Sequence, residues 1–194
     1  MNAAMDRSSE AVDRSAAMRG ASRAADVLLL SIAVVAAYFL KRYYEHATAE
    51  DLGWLLGPTV RIVERFTGEP FVREAHVGFV AERLPIVVEP ACAGVNFLIV
   101  ALLTLTFGFV PKMGSVRAKS IWFAATPLFG YVAALVANAA RITAAVWAHA
   151  LGYRVPLLSP SEAHRALGVT VYLISTWLVF AMGERAARRI GHAL

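Results

Sequence analysis

Cysteine is nearly missing from this chain: Cys92 stands alone among 194 residues. An internal disulfide is therefore excluded, and so is a zinc site built on several thiolates. Charge is sparse as well, at 17% of residues against 58% hydrophobic, with a mean hydropathy of +0.57. An ordinary soluble domain does not carry so apolar a chain. Bases outnumber acids, giving a formal net charge of +5. They are not gathered into one aromatic-laced patch, which argues against nucleic acid as a partner. A basic balance in so apolar a chain reports loop orientation in a lipid bilayer.

What is present in abundance is long apolar sequence, and its distribution predicts an all-α integral membrane protein with about four transmembrane helices. Residues 1–25 are rich in Ala, Ser and Arg without a clean period and read as a flexible or loosely helical cytoplasmic arm. The membrane domain is expected over residues 26–183, with spans at about 26–44, 91–110, 121–141 and 165–183. The first span is read as an uncleaved helix rather than a signal peptide, because acids precede it and no clear small-residue cleavage site follows its core. Within the third, Pro127 and Gly130 mark an expected kink, and breaks at Gly152 and Pro156 end the helix. Residues 184–194 form a basic cytoplasmic tail.

Between the first two spans the chain changes character. Over residues 45–90, Glu45, Glu50, Asp51, Glu64, Glu69, Glu74, Glu82 and Glu89 outnumber Arg61, Arg65, Arg73 and Arg83, so this segment lies outside the hydrocarbon. Leu55, Leu56, Val60, Ile62, Val63 and Phe66 are spaced as on an amphipathic helix over residues 52–66, expected to lie along the membrane surface. The pieces FVREAHVGFV and LPIVVEP flank Ala81-Glu82-Arg83 and predict a short β-hairpin. It delivers the chain to Cys92, expected in the first turn of the second span. Farther on, Ser159-Pro160-Ser161-Glu162 has the form of a capped helix start, with Ser159 as N-cap and Glu162 reaching back, which puts His164 in the opening turns of the last helix.

With four spans the two ends share a side, together with a short turn holding Lys112, Arg117 and Lys119. Four arginines in the arm, those three bases, and Arg185, Arg188 and Arg189 in the tail make that side cytoplasmic by the positive-inside rule. Lys41, Arg42, Arg141, Arg154 and Arg165 are discordant but do not outweigh the three clusters. On this topology Cys92, Arg141 and His164 all fall at the outer boundary of the membrane. A lone cysteine has three readings: an inert buried thiol, a lipid attachment site, or a nucleophile. The convergence favours the nucleophile. A helix N-terminus and a guanidinium both favour thiolate, and His164 can carry the proton that a leaving amine requires. Arg141, or backbone N–H groups near Ala93 and Gly94, can stabilise an oxyanion, and the choice between them stays open. His149, on roughly the same face as Arg141, is a reserve base, and His76 is a further competitor. Asn138, three residues before Arg141, can orient it or make an ordinary contact between helices.

Ala91-Cys92-Ala93-Gly94 followed by a span, Asn138-Ala139-Ala140-Arg141 at the end of the next, and His164 before the last resemble the exosortase and archaeosortase family over about residues 50–183. Ala93 stands where many members carry serine after the cysteine, and the short chain is similar to compact subclasses such as exosortase K. The resemblance implies a membrane cysteine transpeptidase or protease with Cys92 as nucleophile, Arg141 as its electrostatic partner and His164 as acid and base. Its partners would be membrane-anchored proteins with a C-terminal sorting signal made of a short motif, a transmembrane helix and a basic cluster. No metal or organic cofactor is implied. The expected location is a bacterial inner membrane, with the site facing outward. The alternative is a non-catalytic subunit of an export or polysaccharide-assembly complex, in which Cys92 is merely packed.

Overall fold

The computed structural model describes residues 2–152 and 159–193, so the expected break at Pro156 and the discordant Arg154 lie outside the described residues. Among the described residues five α-helices and one small sheet follow in the order α1 (Asn2–His46), α2 (Gly53–Thr67), β1 (Phe71–Glu74), β2 (Gly78–Ala81), β3 (Val87–Val88), α3 (Val95–Phe109), α4 (Val116–Ala150) and α5 (Pro160–Ala193). Among the described residues four stretches are long and apolar enough to cross a membrane: Ala16–His46, Pro90–Lys112, Val116–Ala150 and Glu162–Ile190. The Pro90–Lys112 stretch is the most enclosed of the four. Packed by α1, α4 and α5, its helix α3 buries Phe97, Leu98, Ala101, Leu105 and Phe109.

Local chemistry sets the helix boundaries. Pro111 ends the α3 run, and the Ser115 hydroxyl then accepts the Ala118 amide at 3.1 Å to cap α4. At α5 the expected capping box is present: Glu162 accepts from the Ser159 amide at 2.8 Å, and Ser159 Oγ accepts from the Glu162 amide at 3.3 Å. Aromatic rings fill the end of the bundle near the start of α4. Phe109 meets Trp122 edge-on at 5.4 Å, and Gly183 lets α5 approach so closely that a Cβ there would fall 2.7 Å from the Phe109 ring.

Several expectations need correction. The arm and the first span form one helix from Asn2, consistent with the alanine-rich composition, and the basic tail continues α5 to Ala193. Lys119 is not a turn residue. It lies inside α4, 1% exposed, paired with Asp26 and hydrogen-bonded to Ser22 Oγ at 2.8 Å. A buried ammonium needs such partners. The apolar side of α2 is covered by α4 rather than left for lipid, with Leu55, Leu56, Val60 and Val63 buried and Phe66 exposed. Tyr131 of α4 stacks on Trp54 and donates to its carbonyl at 2.8 Å. In place of one hairpin turning at residues 81–83, three antiparallel strands run in the order β1-β2-β3. The additional reversal lies at Ala75–Val77, where His76 takes a left-handed conformation with φ 62°.

Candidate functional site

Cys92 does not sit in the first turn of α3 as expected. It closes a 3-10 turn, Pro90–Cys92, held by Cys92 N–H to the Glu89 carbonyl at 2.8 Å and Ala93 N–H to the Pro90 carbonyl at 3.0 Å. Gly94 then takes φ 78°, a left-handed conformation open to glycine, and redirects the chain into α3. The break has a second cause. A Cβ on Gly94 would lie 3.1 to 3.3 Å from three atoms of Asn138. Glycine therefore both permits the turn and lets α4 approach it. No side chain caps the first turn of α3, so the positive end of that helix lies beside the cysteine.

Asn138 is fully buried and uses both ends of its amide. Nδ2 donates to the Cys92 carbonyl at 2.5 Å, and Oδ1 accepts from the Tyr172 hydroxyl at 3.1 Å. The opposed partners fix which way the amide points. Tyr172 stacks on Phe97 with ring centroids 5.1 Å apart, and its ring faces the Arg141 guanidinium at 5.6 Å. Arg141 also runs its Cδ past Gly168, and among the described residues its buried Nε has no hydrogen-bond partner. On the α1 side, the Tyr44 hydroxyl donates to the Ala91 carbonyl at 3.4 Å, while Lys41 donates to Asn96 at 3.3 Å and lies over the Tyr44 ring. Residues of α1 and α4 thus hold the main chain of the turn that carries the half-buried Cys92, and Tyr172 of α5 holds Asn138.

Of the residues expected at the site, the structure brings Cys92, Gly94, Asn138 and Arg141 together. His164 is exposed near the start of α5. It lies one helical turn before Gly168, on the face that meets Arg141, and among the described residues it makes no hydrogen bond or ion pair. His149 is exposed near the end of α4, about 12 Å along the helix from Arg141. His76 belongs to the sheet turn, where its amide donates to Glu50 at 3.0 Å. Among the described residues no group of three His, Cys, Asp or Glu side chains could hold a metal ion.

Sequence reasoning missed Tyr44, Tyr172 and Lys41. Tyr172 follows His164 by eight residues and so shares its helical face, which was a usable signal. Tyr44 at a span end reads more simply as an interfacial aromatic. No protein-family model, curated protein or solved structure matches this chain. The functional reading therefore rests on the site and on the resemblance carried by its motifs.

Proposed function

We propose that this chain is a membrane-embedded cysteine transpeptidase or protease of the exosortase type, acting at the outer face of a bacterial inner membrane. The observation that carries the reading is the immobilised cysteine turn. A buried amide from α4 holds the Cys92 carbonyl while the guanidinium of Arg141 stands on the same helical face. An inert packed thiol requires neither.

The substrate's C-terminal helix docks laterally in the bilayer and presents its recognition motif at the boundary. The Cys92 thiolate attacks the peptide carbonyl carbon, a C–S bond forms, and the carbonyl oxygen takes the negative charge. In this reading Arg141 or the first-turn amides of α3 stabilise that charge. Collapse breaks the C–N bond, and the departing amine receives a proton. His164 supplies it after closing toward the site over Gly168. The C-terminal helix leaves and a thioester remains. An amine or a water molecule then attacks the thioester, regenerating the thiol and giving transpeptidation or hydrolysis respectively.

The test is Cys92→Ala expressed in place of the natural chain, with a protein ending in a motif, one span and a basic cluster as substrate. Loss of the size shift on a gel is expected. Undiminished processing removes the nucleophile and returns Cys92 to a packing role in a non-catalytic subunit.

A further inference from the structure

We propose that the outer edge of β3, from Val87 to Glu89, docks an extended peptide: the stretch of a protein substrate adjoining the bond cut at Cys92. The inference rests on the cysteine-peptidase reading above. β3 is an end strand of the sheet, paired on one side with β2 through Phe79↔Val88 and Val80↔Val87. The Ala81 amide donates to the Ile86 carbonyl at 2.9 Å. In an antiparallel pair, alternate residues turn both main-chain groups toward the partner strand. Val88 therefore faces β2, while the N–H and C=O of Val87 and the N–H of Glu89 point outward.

Burial follows the same alternation. Val88 is 1% exposed and anchors the strand in the core, whereas Val87 is 39% exposed. Among the described residues the outward groups of Val87 have no hydrogen-bond partner. An open strand edge is a template for another strand, and folded proteins commonly cover or blunt it. Pro85 and Pro90 bracket this one, so it can pair with a few residues of extended chain but not with a long strand or a second sheet.

Continuity with the site selects the occupant. The strand runs directly into the turn that ends at Cys92, and the Cys92 amide donates to the Glu89 carbonyl at 2.8 Å, so Glu89 adjoins the cysteine through a single 3-10 turn with a rise of about 6 Å. A peptide paired with Val87 and Glu89 has its following residues at the thiol. Main-chain pairing holds any sequence, which leaves discrimination to side chains flanking the groove. It also fixes the peptide extended, with its carbonyl presented edge-on to the cysteine turn.

Proline substitution isolates the edge. Val87→Pro and Glu89→Pro each delete one outward N–H and no bond to β2, an arrangement sheets accept at their edges. Glu89 already has φ −82°, close to the proline value. In the native host, Cys92→Ala first defines the substrates as the proteins that retain their C-terminal span by mass spectrometry. Each proline variant should slow processing of that same set about tenfold, in line with lost main-chain hydrogen bonds. Alkylation of Cys92 by iodoacetamide should stay within about twofold of the unsubstituted chain, because the thiol's own surroundings are intact. Normal processing in both proline variants overturns the docking edge and leaves the nucleophile standing. No retained proteins in Cys92→Ala removes the nucleophile reading itself.

If the proline variants fail to accumulate or to alkylate, a photo-crosslinking side chain at position 87 of the Cys92→Ala protein decides instead. Crosslinks to a protein retaining its C-terminal span support the proposal. Crosslinks confined to lipid or to a second copy of this chain overturn it.

Discussion

Asn138 is the residue on which the candidate site depends. Its replacement by alanine leaves the Cys92 carbonyl and the Tyr172 hydroxyl without their partner. Losing a buried partner in this way costs about 1–3 kcal/mol. Asn138→Ala should accordingly lower thermal stability in detergent and slow Cys92 alkylation together. Tyr172→Phe should cost less, about 1 kcal/mol, because the ring keeps its stack on Phe97 and its face toward Arg141. Equal behaviour of the two variants in a melting and alkylation series would show that the amide orientation does not matter. That Asn138 and Arg141 share a face was legible from their spacing along one helix. That Asn138 reaches across to a carbonyl next to the lone cysteine was not, since a helical period says which side a residue lies on and not what stands opposite.

At the scale of elements, α1 and α4 are tied by the buried Lys119 and its partners Asp26 and Ser22. Lys119→Met strands a carboxylate in a low-dielectric setting, and breaking such a pair costs about 3–5 kcal/mol. The lower end applies, because the Asp26 side chain keeps 22% exposure. Replacing both, as Lys119→Met with Asp26→Leu, should recover most of that loss, measured by thermal unfolding of all three variants. The sheet carries a pH-dependent tie of its own. The His76 amide donates to Glu50 and, as the largest contribution, holds the Glu50 carboxyl below its ordinary value of 4.5. A depressed carboxyl contributes fully above the unfolded value and loses that contribution as pH falls through the lower folded value. The protection of the His76 amide against hydrogen exchange, taken relative to the intrinsic rate at each pH, should therefore fall in acid below the ordinary carboxylate range, and Glu50→Gln should flatten the dependence.

At the scale of the molecule, two layers lie one bilayer apart. Lys119 to Asn138 along α4 spans about 28 Å, and Asp26 to Tyr44 along α1 about 27 Å, at the helical rise. That separation is close to the hydrocarbon thickness of about 30 Å, with the Lys119–Asp26 pair toward one end of the bundle and the cysteine turn toward the other. If the charge distribution orients the chain with both ends inside, a membrane-impermeant maleimide should label Cys92 in intact spheroplasts. Labelling that requires permeabilisation would place the site on the cytoplasmic side. Lys119 was a base in the loop count and proves to be neutralised within the bundle, so the orientation rests more on the arm and the tail.

By itself the sequence determined the apolar helices long enough to span, the capped start at Ser159, the shared face of Asn138 and Arg141, and the place of Cys92 where a polar segment gives way to an apolar one. These follow from composition, periodicity and turn chemistry, which act over a few residues. Only the tertiary structure decided that Gly94 breaks the chain after the cysteine to admit Asn138, that Tyr172 holds Asn138 while Tyr44 reaches the Ala91 carbonyl, that α2 packs its apolar face on α4, and that β3, ending at Val88 four residues before Cys92, is an end strand of its sheet. Each of these depends on what faces what across the bundle, and contact between distant segments is decided by packing rather than by local pattern.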